Sequence, residues 1–427
     1  MKEIALSYGQ GTITLQVPEK NFGGLYGPPP LPKAKGFKLV KEALDNPIGE
    51  KLENLSKDKK VAVIVEDGTR DAPAWTLRAV IQRLLDAKEV IFILATGMHK
   101  AVTDGNKKIE DIIKMAAEGK IKQYSILAHD TQKATFVSCG RTSFGNEVEV
   151  NAVANDCEIF VTVSDMKPHY FAGYSNPIKN FVPGICSFKT IEKNHSLAVA
   201  PEATFVNHPW HPVHKNNPVA QDMIEAMNLI LSGRPVFTLN FYSAKGRVYY
   251  AVAGEIRAAT EKCIVEIDKI AGIKAESSRY VVVSPGGYPF DETLYNAQRA
   301  LELTQNAVLD GGEVLFLSKN TLGIAETEKA NKEFFEPLTL KTLEQIIIDI
   351  ENDFHVPAQK AYKVAKYFQR IGKLYLYTDY ADKELLAKGR FLTADNPQAI
   401  IDEWIRQDPD AKILFFEGGA KIFVLPN

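Results

Sequence analysis

Residues 61–66 read VAVIVE and run straight into Asp67-Gly68-Thr69-Arg70, and residues 90–96 read VIFILAT and run into Gly97-Met98-His99-Lys100. Both runs are apolar without alternation and too short for a buried helix, the pattern of a strand covered on both faces. Between them the stretch from Ala74 to about Ala87 has helical periodicity, and a second helix is expected near residues 106–118. Strand alternating with helix predicts a parallel α/β sheet.

The same pattern extends outward. CEIFVTVS (157–164) is another buried strand, and VFTLNF with RVYYAV, within residues 235–253, reads as a hairpin-like pair followed by a helix from about Gly254 to Ile270. After the polar stretch KAESSR (274–279) the alternation restarts with YVVVS (280–284), a helix near 292–309, EVLFLS (313–318), LYLYT (374–378), a helix near 396–406 and ILFF (413–416). Upstream, residues 2–17 read as a β-hairpin around Gly9 and Gly11, and the run from Gly23 to Pro32 as an irregular connection. The expected fold is α/β in two domains, residues 1–272 and 273–427, each with a largely parallel sheet flanked by helices. The first would bind a cofactor and the second contribute substrate-pocket residues, with the active site in the cleft between them.

Composition narrows the function. Lys+Arg 51 against Asp+Glu 53 leaves a net charge of -2, so there is no basic excess for a nucleic acid backbone. No apolar run approaches the roughly 20 residues that span a bilayer, and the N-terminal MKEIALSYGQGTITLQV alternates instead of building a signal core. A cytoplasmic protein with no membrane partner is expected. Cys139, Cys157, Cys186 and Cys263 lie far apart with no C-x-x-C pair, which argues against a zinc ribbon or a disulfide framework. Any metal must be held mainly by other groups.

In open α/β sheets, ligands collect beyond the carboxyl ends of the strands. Arg70 stands there as a fork suited to a carboxylate or phosphate, although pairing with Asp67 or Asp71 is the plain alternative. His99 and His169 both follow strands, and imidazole exchanges protons near neutral pH. The densest stretch, from His169 to Gly184, is shaped by Gly173, Pro177, Pro183 and Gly184, contains Lys179, and leads into a Ser187-capped helix ending near His195. Physics alone does not choose there between an ordered surface loop and a site in which Lys179 is a nucleophile or charge clamp. His208, His211 and His214 suggest a metal site by spacing, but Pro209 and Pro212 break any helix that would align them, and a structural role is expected.

Five segments together resemble the nickel-dependent lactate racemase family: DGTR (67–70), ATGMHK (95–100), HYFAGYSNPIKNFVPG (169–184), TIEKNH (190–195) and GGYPFDETLYNAQRAL (286–301). NNPVAQDMIEA (216–226) and AGEIRAA (253–259) extend the likeness over most of the chain. The resemblance implies a nickel pincer nucleotide, a pyridinium-3,5-bisthiocarboxylic acid mononucleotide bearing nickel. Lys179 would be the residue that can join it covalently and His195 the nickel ligand; an imidazole beside soft sulfur donors suits square-planar Ni(II). His99 and His169 would be the two acid/base residues, one for each face of C2, while the C2 hydride moves to the pincer ring and back. Arg70, Tyr295, Asn296 and Arg299 would bind substrate, and Asp67, Thr69, Gly173, Tyr174 and Ser175 would line the cofactor, with Ser175 and the amides after Gly173 placed for its phosphate.

Three departures bear on substrate. Asn176-Pro177 stands where the family usually has Gly-Gly, Asn296 and Arg299 stand where the lactate enzymes carry Gln and Lys, and no tryptophan occurs in the 355–365 region. The expected function is a racemase or epimerase that inverts C2 of a small-molecule 2-hydroxyacid larger or more polar than lactate, such as a sugar acid or a hydroxydicarboxylate, with a sugar acid preferred. Cofactor-biosynthesis enzymes would be maturation partners, and a homo-oligomer is compatible with the sequence. Lactate racemase proper, a zinc or iron hydrolase built on the histidines, and a non-catalytic nucleotide-binding protein are the alternatives.

Overall fold

The computed structural model describes residues 1–30, 36–68, 72–244 and 246–426. The chain forms two compact units, Pro30–Lys269 and a second that joins Met1–Pro29 to Ile270–Asn427. It begins with the expected hairpin, β1 (Lys2–Tyr8) and β2 (Gly11–Val17), and continues into β3 (Phe22–Tyr26). Alternate residues Ile4, Leu6, Leu15 and Val17 are buried and join one core with Val282, Leu315, Ile413 and Phe415. A continuous first domain over residues 1–272 is therefore corrected at its start. The hairpin's apolar face is buried on the second sheet, so the first 29 residues belong to the C-terminal unit.

Within Pro30–Lys269 the strands are β4 (Lys60–Glu66), β5 (Glu89–Ala95), β6 (Tyr124–Ala128), an antiparallel pair β7 (Phe136–Arg141) and β8 (Glu147–Asn151), β9 (Ile159–Asp165), a short antiparallel pair β10 (Lys167–His169) and β11 (Gly173–Ser175), β12 (Val236–Ala244) and β13 (Arg247–Glu255). Six of them build one sheet in the order β13-β12-β9-β4-β5-β6, parallel except for β12 with β13. Val61, Val63, Phe92, Val161 and Leu239 are fully buried, as continuous apolar strands require. From β4 the chain moves outward to β5 and β6, then returns to the other side with β9 and β12. The carboxyl ends of β4 and β9 are therefore the topological switch point, where a parallel sheet opens a crevice.

The C-terminal unit adds β14 (Gly272–Ile273), β15 (Ser278–Val283), β16 (Val308–Leu317), β17 (Lys373–Tyr377), β18 (Leu392–Thr393), β19 (Ile413–Phe416) and β20 (Phe423–Val424). Its sheet runs β18-β17-β16-β15-β19-β3, parallel throughout, and β14 pairs with β20. The helix expected near 292–309 is broken into Leu294–Ala297, Arg299–Thr304 and a 3-10 turn, Gln305–Ala307. Among the described residues, no helix is long and apolar enough to cross a membrane.

Candidate active site

The loops beyond β4, β5 and β9 carry the candidate residues, and each is placed by local chemistry. After β4, Gly68 packs so closely on Gly105 that a Cβ would come within 2.2 Å of its carbonyl carbon, and Gly68 N donates to Asn106 Oδ1 at 2.8 Å. Asp67, only 4% exposed, is thereby held beside the β5 loop. After β5, Gly97 takes φ +53° and donates its N–H to Gly184 O at 3.1 Å, turning the chain so that His99 faces back. His99 Nδ1 meets Asp67 Oδ2 at 2.7 Å. The carboxylate fixes the proton on Nδ1 and leaves Nε2 to accept one, the geometry of an oriented base. Asp67, expected to line the cofactor, also orients His99 through one carboxylate oxygen. Thr69 and Arg70 lie outside the described residues.

The stretch read as one shaped loop contains regular structure. His169 closes β10 opposite Gly173 of β11, and Gly173, at φ +74°, is packed so that a Cβ would fall 2.2 Å from Asn207 O. Ala172 N–H donates to His169 Nδ1 across 3.4 Å, which leaves the ring proton of the neutral form to Nε2. Both rings are thus oriented through Nδ1, His99 by a carboxylate and His169 by a backbone amide.

Lys179 sits in a short helix, Pro177–Phe181. Asn176 caps it by accepting from Ile178 N at 2.9 Å while donating to Tyr174 O at 2.8 Å, and Pro177 supplies the first helical φ. Asn180 then bolts this helix across the switch point, its amide donating to Ile64 O of β4 at 3.3 Å and to Ser164 Oγ of β9 at 3.1 Å. The next helix, Phe188–Ser196, is capped by Ser187 Oγ as expected and carries His195 in its last turn.

Phe171 joins these groups. Its ring lies edge-on to His169 at 4.6 Å and to His195 at 5.2 Å, with Lys179 Nζ 5.8 Å from its centroid. His169, Lys179 and His195 are therefore gathered around one buried aromatic ring, a residue the sequence reading passed over although it lies within the quoted motif. His195 is 6% exposed, and its Nδ1 is buried without a hydrogen-bond partner. Burial, then the Lys179 ammonium, pushes its pKa down to about 3, with only the Ile191 carbonyl opposing. A neutral imidazole with an uncommitted, buried nitrogen is suited to a metal that brings its other donors with it. Among the described residues, no three His, Cys, Asp or Glu side chains come together as a metal set.

Other candidates are committed elsewhere. Tyr174 is buried with its hydroxyl donated to Asp268, and the amides of Gly173 and Tyr174 donate to Thr204 O and Ala172 O. Those two amides are thus unavailable to a phosphate; Ser175 is buried beside them. The expected structural role of His208, His211 and His214 has a visible basis: His208 Nε2 meets the Asn176 amide at 3.2 Å, His211 Nε2 meets Asp268 Oδ2 at 2.8 Å, and His214 packs its ring against His211. Through His208 this cluster touches Asn176, the cap of the lysine helix. Tyr295, Asn296 and Arg299 lie in the C-terminal unit, on the two short helices Leu294–Ala297 and Arg299–Thr304.

Residues 8–205 match the family model described as the lactate racemase N-terminal domain. Lactate racemase of Thermoanaerobacterium thermosaccharolyticum is 27% identical over 339 residues, 75% of each chain. Lactate racemase of Lactiplantibacillus plantarum is 26% identical over 332 residues, 74% of this chain and 75% of that one. The solved lactate racemase apoprotein of T. thermosaccharolyticum superimposes with a TM-score of 0.83 at 25% identity, covering 99% of this chain and 100% of its own. A Thermotoga maritima structure shares the fold at 17% identity and TM-score 0.60, over 91% and 97% of the two chains. Fold, motif order and relatives agree: residues 8–205 match the lactate racemase N-terminal domain, and the chain is similar to lactate racemases, which are isomerases, over about three quarters of its length.

Proposed function

We propose that this chain is a nickel-dependent racemase or epimerase that inverts C2 of a 2-hydroxyacid. The observation that carries the reading is the gathering of His169, Lys179 and His195 around Phe171, with the Lys179 helix bolted to the switch point beside the Asp67–His99 pair. His195 would ligate nickel and Lys179 would anchor the pincer nucleotide. When bound, that cofactor supplies an acceptor and donor for the C2 hydride. The chain's own task is proton transfer: His99 takes the C2 hydroxyl proton from one enantiomer, and His169 delivers one to the oxygen of the 2-oxo acid as the other enantiomer forms. In the reverse direction the roles exchange, as a racemase requires. Arg70 would hold the substrate carboxylate in a two-point clamp.

The curated relatives are lactate racemases, and lactate remains the simplest substrate. The three departures in sequence favour a larger or more polar acid: all three tryptophans are placed elsewhere, Trp404 in the core against Tyr280, Trp210 beside His208 and Trp75 beside Phe37. Protein matured with the cofactor-biosynthesis enzymes, analysed for intact mass and metal and assayed against lactate, malate, 2-hydroxyglutarate and aldonic acids, tests the reading. One nickel per chain with inversion at C2 is expected. Loaded protein that inverts none of these acids would remove it.

A further inference from the structure

The stretch NNPVAQDMIEA (216–226) carries none of the candidate catalytic, cofactor or substrate residues. It opens the helix Pro218–Leu231, and that helix reaches the site at two places. At its cap, Asn217 accepts from Val219 N at 3.1 Å and donates its amide to Phe171 O at 3.0 Å and Asn207 O at 2.9 Å. It thereby holds the residue whose ring gathers His169, Lys179 and His195. Further along, Asp222 is fully buried and accepts three hydrogen bonds. Thr142 Oγ1 reaches one carboxylate oxygen at 2.6 Å, and the amides of Asn146 and Asn194 reach the other, each at 2.8 Å.

These bonds hold the helix that carries His195 at two points. Asn194, the residue before His195, gives its amide to Asp222 and also to Val219 O at 3.1 Å. Asn146 divides its amide between Asp222 and Thr190 O, the latter at 3.1 Å. Thr190 and Asn194 stand about one turn apart on Phe188–Ser196, so the two anchors oppose both rotation of that helix and sliding along its axis. Asn146, Asn194 and Asp222 are all sealed from water, and no solvent bond replaces one that is lost. The rotation matters because His195 Nδ1 has no hydrogen-bond partner. A metal-binding imidazole is ordinarily aimed by a carboxylate or carbonyl on its second nitrogen. Here the aim comes from the helix that bears the ring.

We propose that Asp222 is a positioning residue for His195. Through Asn194 and Asn146 it fixes the rotation of the Phe188–Ser196 helix, while Asn217 at the cap of its own helix fixes Phe171. One scaffold helix thus sets the imidazole against the aromatic ring it faces. The consequence for nickel rests on the reading of His195 as its ligand; the consequence for the orientation of the ring does not.

The test uses the cofactor-free full-length chain labelled with ¹⁵N-histidine, the His195 ring signals being assigned by their loss in His195→Gln. Wild type should give one sharp set. Asp222→Asn and Asn194→Ala should each split or broaden it. Met227→Ala, which removes buried volume from the same scaffold helix and no side-chain hydrogen bond, should lower the urea midpoint yet leave the His195 set single. After maturation with the cofactor enzymes, Asp222→Asn should hold nickel about 10-fold to 100-fold more weakly in competition with a chelator, the scale of a lost outer partner of a metal ligand. Should Asp222→Asn fail to fold, Asn194→Ala, which leaves Asp222 its bonds from Thr142 and Asn146, carries the test. A folded Asp222→Asn or Asn194→Ala chain with wild-type His195 signals overturns the proposal, as does a Met227→Ala chain that splits them equally. If His195→Gln retains nickel as wild type does, the reading of His195 as a ligand fails, and the ring signals still decide the role of Asp222.

Discussion

The two parallel sheets have the same kind of switch point and put it to opposite uses. In the sheet of Pro30–Lys269, the carboxyl ends of β4 and β9 are crossed by the lysine-bearing helix and flanked by Asp67, His99 and His169. In the C-terminal sheet the corresponding position lies between β15 and β19, and the chain's own first hairpin fills it. Ser7 donates to the Glu417 carboxylate from N at 2.8 Å and from Oγ at 2.6 Å, Gly9 N donates to Asp291 Oδ2 at 2.7 Å, and Tyr288 N donates to Gly9 O at 2.8 Å. A Cβ on Gly287 would fall 2.6 Å from Gly9 O. One crevice brings titratable groups together; the other is occupied by the chain's own hairpin, which takes hydrogen bonds from and gives them to the loops around it.

Substitutions at the first crevice should strike activity hardest. His99→Ala and His169→Ala should each lower interconversion by about 10²-fold or more, the usual range for general acid–base catalysis, with urea midpoints near wild type. A kinetic trace for either enantiomer decides this, and near-normal turnover by either variant takes that histidine out of the mechanism. At the same crevice, Lys179→Ala should abolish a covalent mass adduct that wild-type protein acquires on maturation. Active, nickel-loaded wild type with an unmodified Lys179 would show that the anchor is not covalent.

At the filled crevice the expected loss is of stability. Glu417→Ala leaves the Ser7 donors unmatched and should lower unfolding free energy by about 1–3 kcal/mol, with kcat unchanged once the protein is folded. A Glu417 variant that keeps full stability but loses turnover would mean that the second crevice also serves catalysis.

A smaller effect comes from pH. His195 and His208 are each pushed to about 3, chiefly by burial. Below the ordinary histidine value the unfolded chain takes up protons that the folded chain refuses, so stability falls as pH drops from about 6.5 towards 3. Denaturant midpoints of the cofactor-free protein should decline over that window, and His195→Gln should flatten part of the decline. An unchanged slope would mean that His195 is not buried neutral in the folded state.

The alternation of strands and helices was legible because continuous apolar runs such as VAVIVE and VIFILAT have only one stable use, a doubly covered sheet. The hairpin at residues 2–17 was legible for the same reason, from its alternation. Its partner was not, since an apolar face read from sequence says that it is buried and not against what. His99, His169, Lys179 and His195 were proposed from residue type and motif. Phe171 was missed because an aromatic residue in a motif looks like packing, and its place among three polar groups appears only once β10 turns into β11. The bond between Asp67 and His99 was not legible because the two are 32 residues apart and meet only through the turn at Gly97.

The proposed inversion needs hydride transfer at C2, with the two histidines of the first crevice moving only the hydroxyl proton. The most direct measurement is inversion of a 2-hydroxyacid deuterated at C2, in ordinary water, by protein matured with nickel cofactor, with the product resolved by chiral chromatography and mass spectrometry. The opposite enantiomer should form with its C2 deuterium retained, because the label travels as hydride and only the hydroxyl proton passes through His99 and His169. Inverted product that has exchanged its deuterium for solvent hydrogen would contradict the account, since the C2 hydrogen would then have left as a proton.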